Sequence, residues 1–388
     1  MNVLHFCKSF SLLSETFIYD YVTELERQGE NNHVVTFRRV NEDSRPFPKV
    51  TVVDQPNRWH PRRLWNRSLV PMGLRKKGTS FWPQIRDRLE SAVRQIGPDV
   101  IHAHFGPAGV LVATVAQRLG IPLIVTFYGY DISELVEERF WRECYSRLWP
   151  RIEYATVLSE DMKQAAIDLG APEEKLRIVH LSRNLKKFPF RAPSRKARKV
   201  LFVGRLVEKK APLDAVEALH LANEKGAELE LDVVGDGALR TQTQAFVKER
   251  GVEADVTLHG RVPNKKVTDL MNEADVFLLP SKTAPNGDRE GTPTVLVEAQ
   301  AVGLPCVSTR HAGIMEMIPE ANHDQLADEG DTEALAEILY SLTSRPVEDL
   351  KRIARRGRQK VEGEFSLVDE AGALRSIYEE ISPTHARL

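Results

Sequence analysis

Short runs of aliphatic and β-branched residues recur along the chain, and between many of them lie segments with apolar positions three or four apart. In the first half, the runs at 2–6, 33–37, 99–103, 122–127, 155–158 and 176–180 predict strands. The segment after Ser14 places Phe17, Tyr21 and Leu25 four apart and then meets Gly29, which predicts a helix that stops there. A second helix is expected over 109–120, ending at a glycine just before the strand IPLIVTF. The second half restarts the pattern, with strands at 199–203, 229–234, 255–258, 276–279 and 305–308 and helices at 212–226, 239–251, 264–273 and 293–302. Such alternation predicts α/β architecture, in which parallel sheets are covered on both faces. Beyond Asp331 the pattern is helical, and the last helix, near 366–382, has no strand after it to cover.

At 388 residues the chain exceeds one ordinary core and suits two domains. The expected division is 1–190, 198–365 and a C-terminal helix at 366–388. The basic, acid-free stretch RNLKKFPFRAPSRKARK (183–199) reads as a solvated linker. A formal net charge of −1 gives no basic excess to replace counterions on a nucleic acid, so no such partner is expected. Three scattered cysteines suggest neither a disulfide framework nor a zinc site. The N-terminus has no basic start before its apolar run, and no stretch of about 18 apolar residues occurs. A cytoplasmic location is the expectation.

Ligands of open α/β sheets bind beyond the C-terminal strand ends, so the chemistry is sought there. The richest segment is PSKTAPNGDREGTPTVLVEAQAVGLPCVST (280–309). A strand enters a polar loop; Thr292 looks like a helix N-cap with Pro293 at the first helical position, and Gly303 sits where a C-terminal cap belongs. Glu290 lies ahead of this helix and Glu298 inside it, and the N-terminus between them offers N–H groups to a phosphate or diphosphate. Glu298 is suited to a ribose diol and Glu290 to sugar hydroxyls. A diphosphate also needs cations, and LFVGRLVEKKAP (201–212) provides Gly204, Arg205 and Lys210 at another strand end.

Gly-Arg-Leu with Lys210, then VVGDG, HGRVP, DVFLLPS and the Glu290–Glu298 pair stand in an order that resembles the family-four glycosyltransferases of the GT-B fold. GDREGTPTVLVEAQAVGLPCVSTRHAGIMEMI resembles the bacterial branch that builds exopolysaccharides of the colanic-acid type. The resemblance covers essentially the whole chain. It implies two Rossmann-like domains facing across a cleft, with the C-terminal helix crossing back to the N-terminal domain. It implies a retaining reaction without a divalent metal or other cofactor, in which a hexose leaves a nucleotide-diphosphate sugar, most readily a UDP or GDP sugar. Arg205, Lys210 and Glu290 would carry the chemistry. Gly204, the backbone near Val262, and Gly291, Thr292, Pro293, Thr294 and Glu298 would bind the donor.

The first domain departs from the family pattern. The family usually has His where Tyr128 stands, and a glycine-rich turn where this chain reads CKSFSLLSETFI. Ser14, Glu15, His104, Tyr128 and Asp131 are the candidates for the acceptor or sugar side. Residues 58–77 interleave seven Lys or Arg with Trp59 and Trp65 and contain no acid. That composition suits docking on an anionic membrane that carries a lipid-linked saccharide acceptor. Rival readings within the same fold are a nucleotide-sugar epimerase and an inactive protein that binds sugar nucleotides.

Overall fold

In the computed structural model, which describes residues 1–12, 15–55, 61, 64–65 and 82–382, every strand pairing among the described residues is parallel. The chain divides into two units, residues 1–179 with 368–388, and residues 180–367.

The first unit holds seven strands: β1 (Asn2–Cys7), β2 (Asn31–Thr36), β3 (Val50–Val52), β4 (Val100–His104), β5 (Leu123–Thr126), β6 (Tyr154–Val157) and β7 (Leu176–Ile178). Their order is β3-β2-β1-β4-β5-β6-β7. The central strands are buried along their length because helices cover the sheet, so they read as apolar runs rather than alternations. The helix Thr16–Arg27 buries Ile18, Tyr21, Val22 and Leu25 and is followed by Gly29 at φ +101°, a conformation that favours glycine. The helix Gly106–Leu119 ends at Gly120, also left-handed.

The C-terminal helix Leu367–Ile381 belongs almost entirely to this unit. Its Tyr378 is fully buried, with its hydroxyl 2.6 Å from His102 Nδ1. Arg375 lies 3.1 Å from the buried Glu30 carboxylate, and Gln28 donates to the Val368 carbonyl at 2.9 Å.

The second unit holds β8 (Lys199–Val203), β9 (Glu230–Val234), β10 (Val256–Gly260), β11 (Val276–Leu279), β12 (Cys306–Thr309) and β13 (Leu326–Ala327) in the order β10-β9-β8-β11-β12-β13. Helices Pro212–Glu224 and Thr332–Ser344 pack together, as do Thr294–Val302 and Val347–Glu364. The pattern of hydrophobic positions missed β3 and β13, which are three and two residues long and show no period. It also missed the helices Trp82–Ile96, Arg139–Leu148 and Glu160–Asp168.

The segment 183–199 is not a free linker. Arg183 bridges to Ser366, the Arg191 N–H donates to the Val302 carbonyl at 2.9 Å, and Phe188 packs on the core of the second unit. Its charged residues were read correctly as largely solvated: Lys186, Lys187, Arg191, Arg195, Lys196 and Arg198 are exposed while the backbone stays anchored.

Candidate active site

The C-terminal end of β8 carries the cations. Gly204 donates to the Val234 carbonyl at 3.0 Å, and the Lys210 stem passes over it at a distance that would put Cδ in ordinary contact, 3.4 Å, with a Cβ at 204. At the end of β9, Gly235 has φ +145°, and a Cβ there would collide with the Gly204 carbonyl oxygen. Only glycine permits this approach of the two strand ends. The chain then turns through Glu208–Lys210 and left-handed Ala211 into the helix that starts at Pro212. Arg205 is left exposed and Lys210 is directed inward.

Lys210 Nζ lies 2.9 Å from Glu290 Oε1, both side chains being about nine-tenths buried (11% and 7% exposed). Burial pulls Lys210 below the ordinary lysine range, and the Glu290 charge opposes that shift. For Glu290, burial acts to raise the carboxyl, but the charges of Lys210 and Lys209 outweigh it and hold the group below its ordinary range. The Ser281 hydroxyl approaches the same oxygen at 3.5 Å.

The loop that presents Glu290 is pinned from several sides. Lys209 donates to Asp288 Oδ1 at 2.8 Å and to the Arg289 carbonyl at 3.1 Å. The Lys282 N–H donates back to the Lys209 carbonyl at 3.0 Å. On another side, the Glu290 N–H donates to Nε2 of His311 at 3.0 Å, and His311 Nδ1 lies 2.6 Å from Glu329.

The helix beyond the loop runs Thr294–Val302, with Pro293 rather than Thr292 at the N-cap position. Expecting the cap at Thr292 was off by one residue. Pro293 offers no side-chain acceptor, and buried Gly291 and Thr292 lead directly into the first turn. Gly303 caps the far end at φ +98°, as its position in the pattern indicated. Glu298, one turn into the helix, lies 2.6 Å from Arg183 Nε, and Arg183 Nη2 donates to Thr294 Oγ1 at 3.1 Å. Arg183 was not picked out from the sequence, where it began a basic run. Val262 is half-buried against the core of the second unit, following the turn where the Gly235 N–H donates to the Gly260 carbonyl.

In the first unit, His5, His102 and His104 stand on one face of β1 and β4, since His5 pairs with His102 and His104 lies two residues on. His5 Nδ1 is 3.1 Å from His104 Nε2, and His5 Nε2 is 3.0 Å from Asn32. His102 meets Tyr378 and Thr126, each at 2.6 Å, and His104 Nδ1 meets the Tyr128 hydroxyl at 2.7 Å. The three rings are close enough to share a metal ion, but all six ring nitrogens are engaged by protein groups, so the cluster is a satisfied polar network. Burial lowers His5 to about 4 and holds His102 and His104 well below the ordinary histidine range.

His104 and Asp131, two of the candidates for the acceptor or sugar side, are both buried and hydrogen-bonded to protein groups. His104 is 1% exposed within the network. Asp131 is fully buried and accepts from the N–H groups of Gly106, Tyr128 and Gly129 at 2.9–3.1 Å, so it fastens the turn after β5 to the start of a helix. Burial raises its carboxyl to about 6 despite those bonds. Tyr128 stacks on Phe17 with ring centroids 4.5 Å apart. Glu15 is half-buried beside the first helix, and burial raises its carboxyl. Ser14 and most of 58–77 lie outside the described residues; within that stretch Trp65 is 70% exposed.

Two parallel-sheet units, one with a buried Lys–Glu pair beside a helix N-terminus, define an α/β protein of the GT-B class. The comparisons with known proteins agree. Residues 14–182 match the profile of the glycosyl transferase 4-like domain, and residues 185–360 match that of glycosyl transferases group 1. The chain is 36% identical over 275 residues to AmsK of Erwinia amylovora, named an amylovoran biosynthesis glycosyltransferase (69% of this chain, 67% of AmsK). It is 28% identical over 393 residues to WcaL of Escherichia coli (strain K12), whose name assigns it to colanic acid biosynthesis as a glycosyltransferase (94% and 96%). Among solved structures, Anabaena HepE in complex with UDP and glucose superposes with a TM-score of 0.78 at 18% identity, over 98% of this chain and all of HepE. The chain belongs to the group 1, family-four glycosyltransferases and is a glycosyltransferase.

Proposed function

We propose that this enzyme is a retaining, metal-independent hexosyltransferase that moves a sugar from a UDP or GDP sugar to a sugar or lipid-linked saccharide during assembly of a bacterial exopolysaccharide. The names of AmsK and WcaL, and the UDP and glucose bound by HepE, support the substrate class. The observation that carries the reading is the Lys210–Glu290 pair, with Arg205 on the same strand end and an uncapped helix N-terminus following Glu290.

Arg205 and Lys210 neutralise the charge that grows on the departing diphosphate, the role a divalent ion plays elsewhere. The backbone N–H groups of Gly291, Thr292 and Thr294, on either side of Pro293, donate to phosphate or sugar oxygens. Glu290 accepts from hydroxyls of the transferred sugar, and Glu298 accepts from the ribose diol. The bond from the sugar's anomeric carbon to the diphosphate breaks. The acceptor hydroxyl forms the new bond on the same face, and its proton passes to the departing phosphate. Ser14, Glu15 and Tyr128 are proposed for the acceptor side, and residues 58–77 for docking on an anionic membrane.

Proton NMR of the product formed from UDP-glucose or GDP-mannose tests this. The anomeric configuration of the donor is expected to be kept, at a rate unchanged by EDTA. Inversion, or a rate abolished by EDTA and restored by magnesium, would refute it.

A further inference from the structure

His311 and Glu329 lie outside the donor-binding motifs, yet they hold the loop on which Glu290 sits. His311 is fully buried at the end of β12. Its Nε2 accepts the Glu290 backbone N–H at 3.0 Å, so this nitrogen carries no proton and the ring proton resides on Nδ1. Nδ1–H donates to Glu329 Oε1 at 2.6 Å. The other carboxylate oxygen, Oε2, accepts from the Thr283 N–H at 2.7 Å. Glu329 therefore ties the start of the loop, Thr283, to its end, Glu290, through one imidazole. Burial acts to raise the Glu329 carboxyl, but the Thr283 N–H and His311 outweigh it and keep the group below its ordinary range.

We propose that Glu329 and His311 are positioning residues, which hold the imidazole in the Nδ1–H tautomer so that Nε2 fixes the backbone of Glu290 against Lys210. This rests on the donor-site reading of Glu290. The chain of donors has one direction: Nδ1–H to carboxylate, and Glu290 N–H to Nε2. A Gln at 329 cannot complete it. Its single carbonyl oxygen serves either His311 or Thr283, and its NH2 then confronts the other donor or forces the ring proton onto Nε2, opposite the Glu290 N–H. A Gln at 311 can keep the essential acceptor, because its amide oxygen reaches about as far as Nε2.

The test is steady-state transfer from UDP-glucose or GDP-mannose, with UDP and GDP affinity measured by calorimetry, on the wild type and on His311→Leu, His311→Gln and Glu329→Gln. Misplacing Glu290 by a fraction of an ångström is expected to lower kcat at least about ten-fold in His311→Leu and in Glu329→Gln. Nucleotide affinity should stay near wild type, because Arg205 and Glu298 are untouched, and His311→Gln should recover most of kcat. The ring 15N shifts of His311 should show an unprotonated Nε2 in the wild type and change in Glu329→Gln. Wild-type kcat in Glu329→Gln, or equal losses in His311→Leu and His311→Gln, would overturn the proposal while nucleotide binding left the donor-site reading standing. A wild type that binds neither nucleotide overturns both.

Discussion

Lys210 and Glu290 are paired away from water, and removing either leaves the other charge without its partner. Breaking such a pair costs about 3–5 kcal/mol. Glu290→Ala is therefore expected to lower the melting temperature and abolish transfer together. Arg205 is exposed, so Arg205→Ala should melt like the wild type while transfer falls about a hundred-fold or more. Scanning calorimetry beside a transfer assay checks both, and equal loss of stability in the two variants would contradict the difference in burial. Arg205, Lys210, Glu290 and Glu298 were open to selection as candidates from the sequence because they lie in the motif-bearing segments that link β8 to β9 and β11 to β12. Arg183, His311 and Glu329 were not. Arg183 meets Glu298 across more than a hundred residues, and the contacts of His311 and Glu329 run between separate βα units. The surroundings of Asp131 were hidden for a related reason: a carboxylate at a strand end can serve a ligand or a turn, and only the fold shows three backbone N–H groups around it.

At the scale of elements, the site depends on the close approach of β8 and β9. Gly235 combines φ +145° with the Gly204 carbonyl in the space a Cβ would need, whereas Gly226 has φ +88° and open space around it. Gly226→Ala should cost only the left-handed backbone penalty, about 1–2 kcal/mol. Gly235→Ala adds a clash with backbone and should cost clearly more, above about 3 kcal/mol, with loss of donor binding. Urea unfolding of the two variants measures the contrast, and similar midpoints would show that the strand ends can separate freely. The alternation of strands and helices was readable because each long strand is an apolar run and several helices end at glycine. β3 and β13 are short edge strands, set by the neighbour they pair with rather than by their own pattern.

The whole molecule carries a pH dependence written into its first unit. The unfolded chain protonates His5, His102 and His104 near pH 6.5, while burial keeps the folded chain from doing so until about pH 4 for His5 and well below 6.5 for the other two. Their folded values are depressed, so the stability they contribute is full above about pH 6.5 and declines as pH falls toward 4, by up to about 1.4 kcal/mol per pH unit for each histidine. Asp131 acts the other way. Its value is raised to about 6, so its cost to stability is relieved as pH falls from there. Three histidines outweigh one carboxyl, and the melting temperature is expected to drop between pH 7 and pH 5. A flat or rising profile would contradict the buried neutral network. Tyr378→Phe removes the hydroxyl that His102 Nδ1 meets and should cost about 1–3 kcal/mol, seen as earlier melting at neutral pH.

The central claim is that the second unit binds a nucleotide sugar through Lys210, Glu290 and Glu298 without a metal ion. It is tested most directly by calorimetric titration of UDP, GDP and ADP into the wild type and Glu298→Ala, with and without EDTA. One nucleotide should bind in the micromolar range regardless of EDTA, and Glu298→Ala should weaken it about ten- to a hundred-fold as hydrogen bonds to the charged carboxylate are lost. Failure of all three nucleotides to bind, or binding that needs a divalent ion and ignores Glu298, would contradict the account.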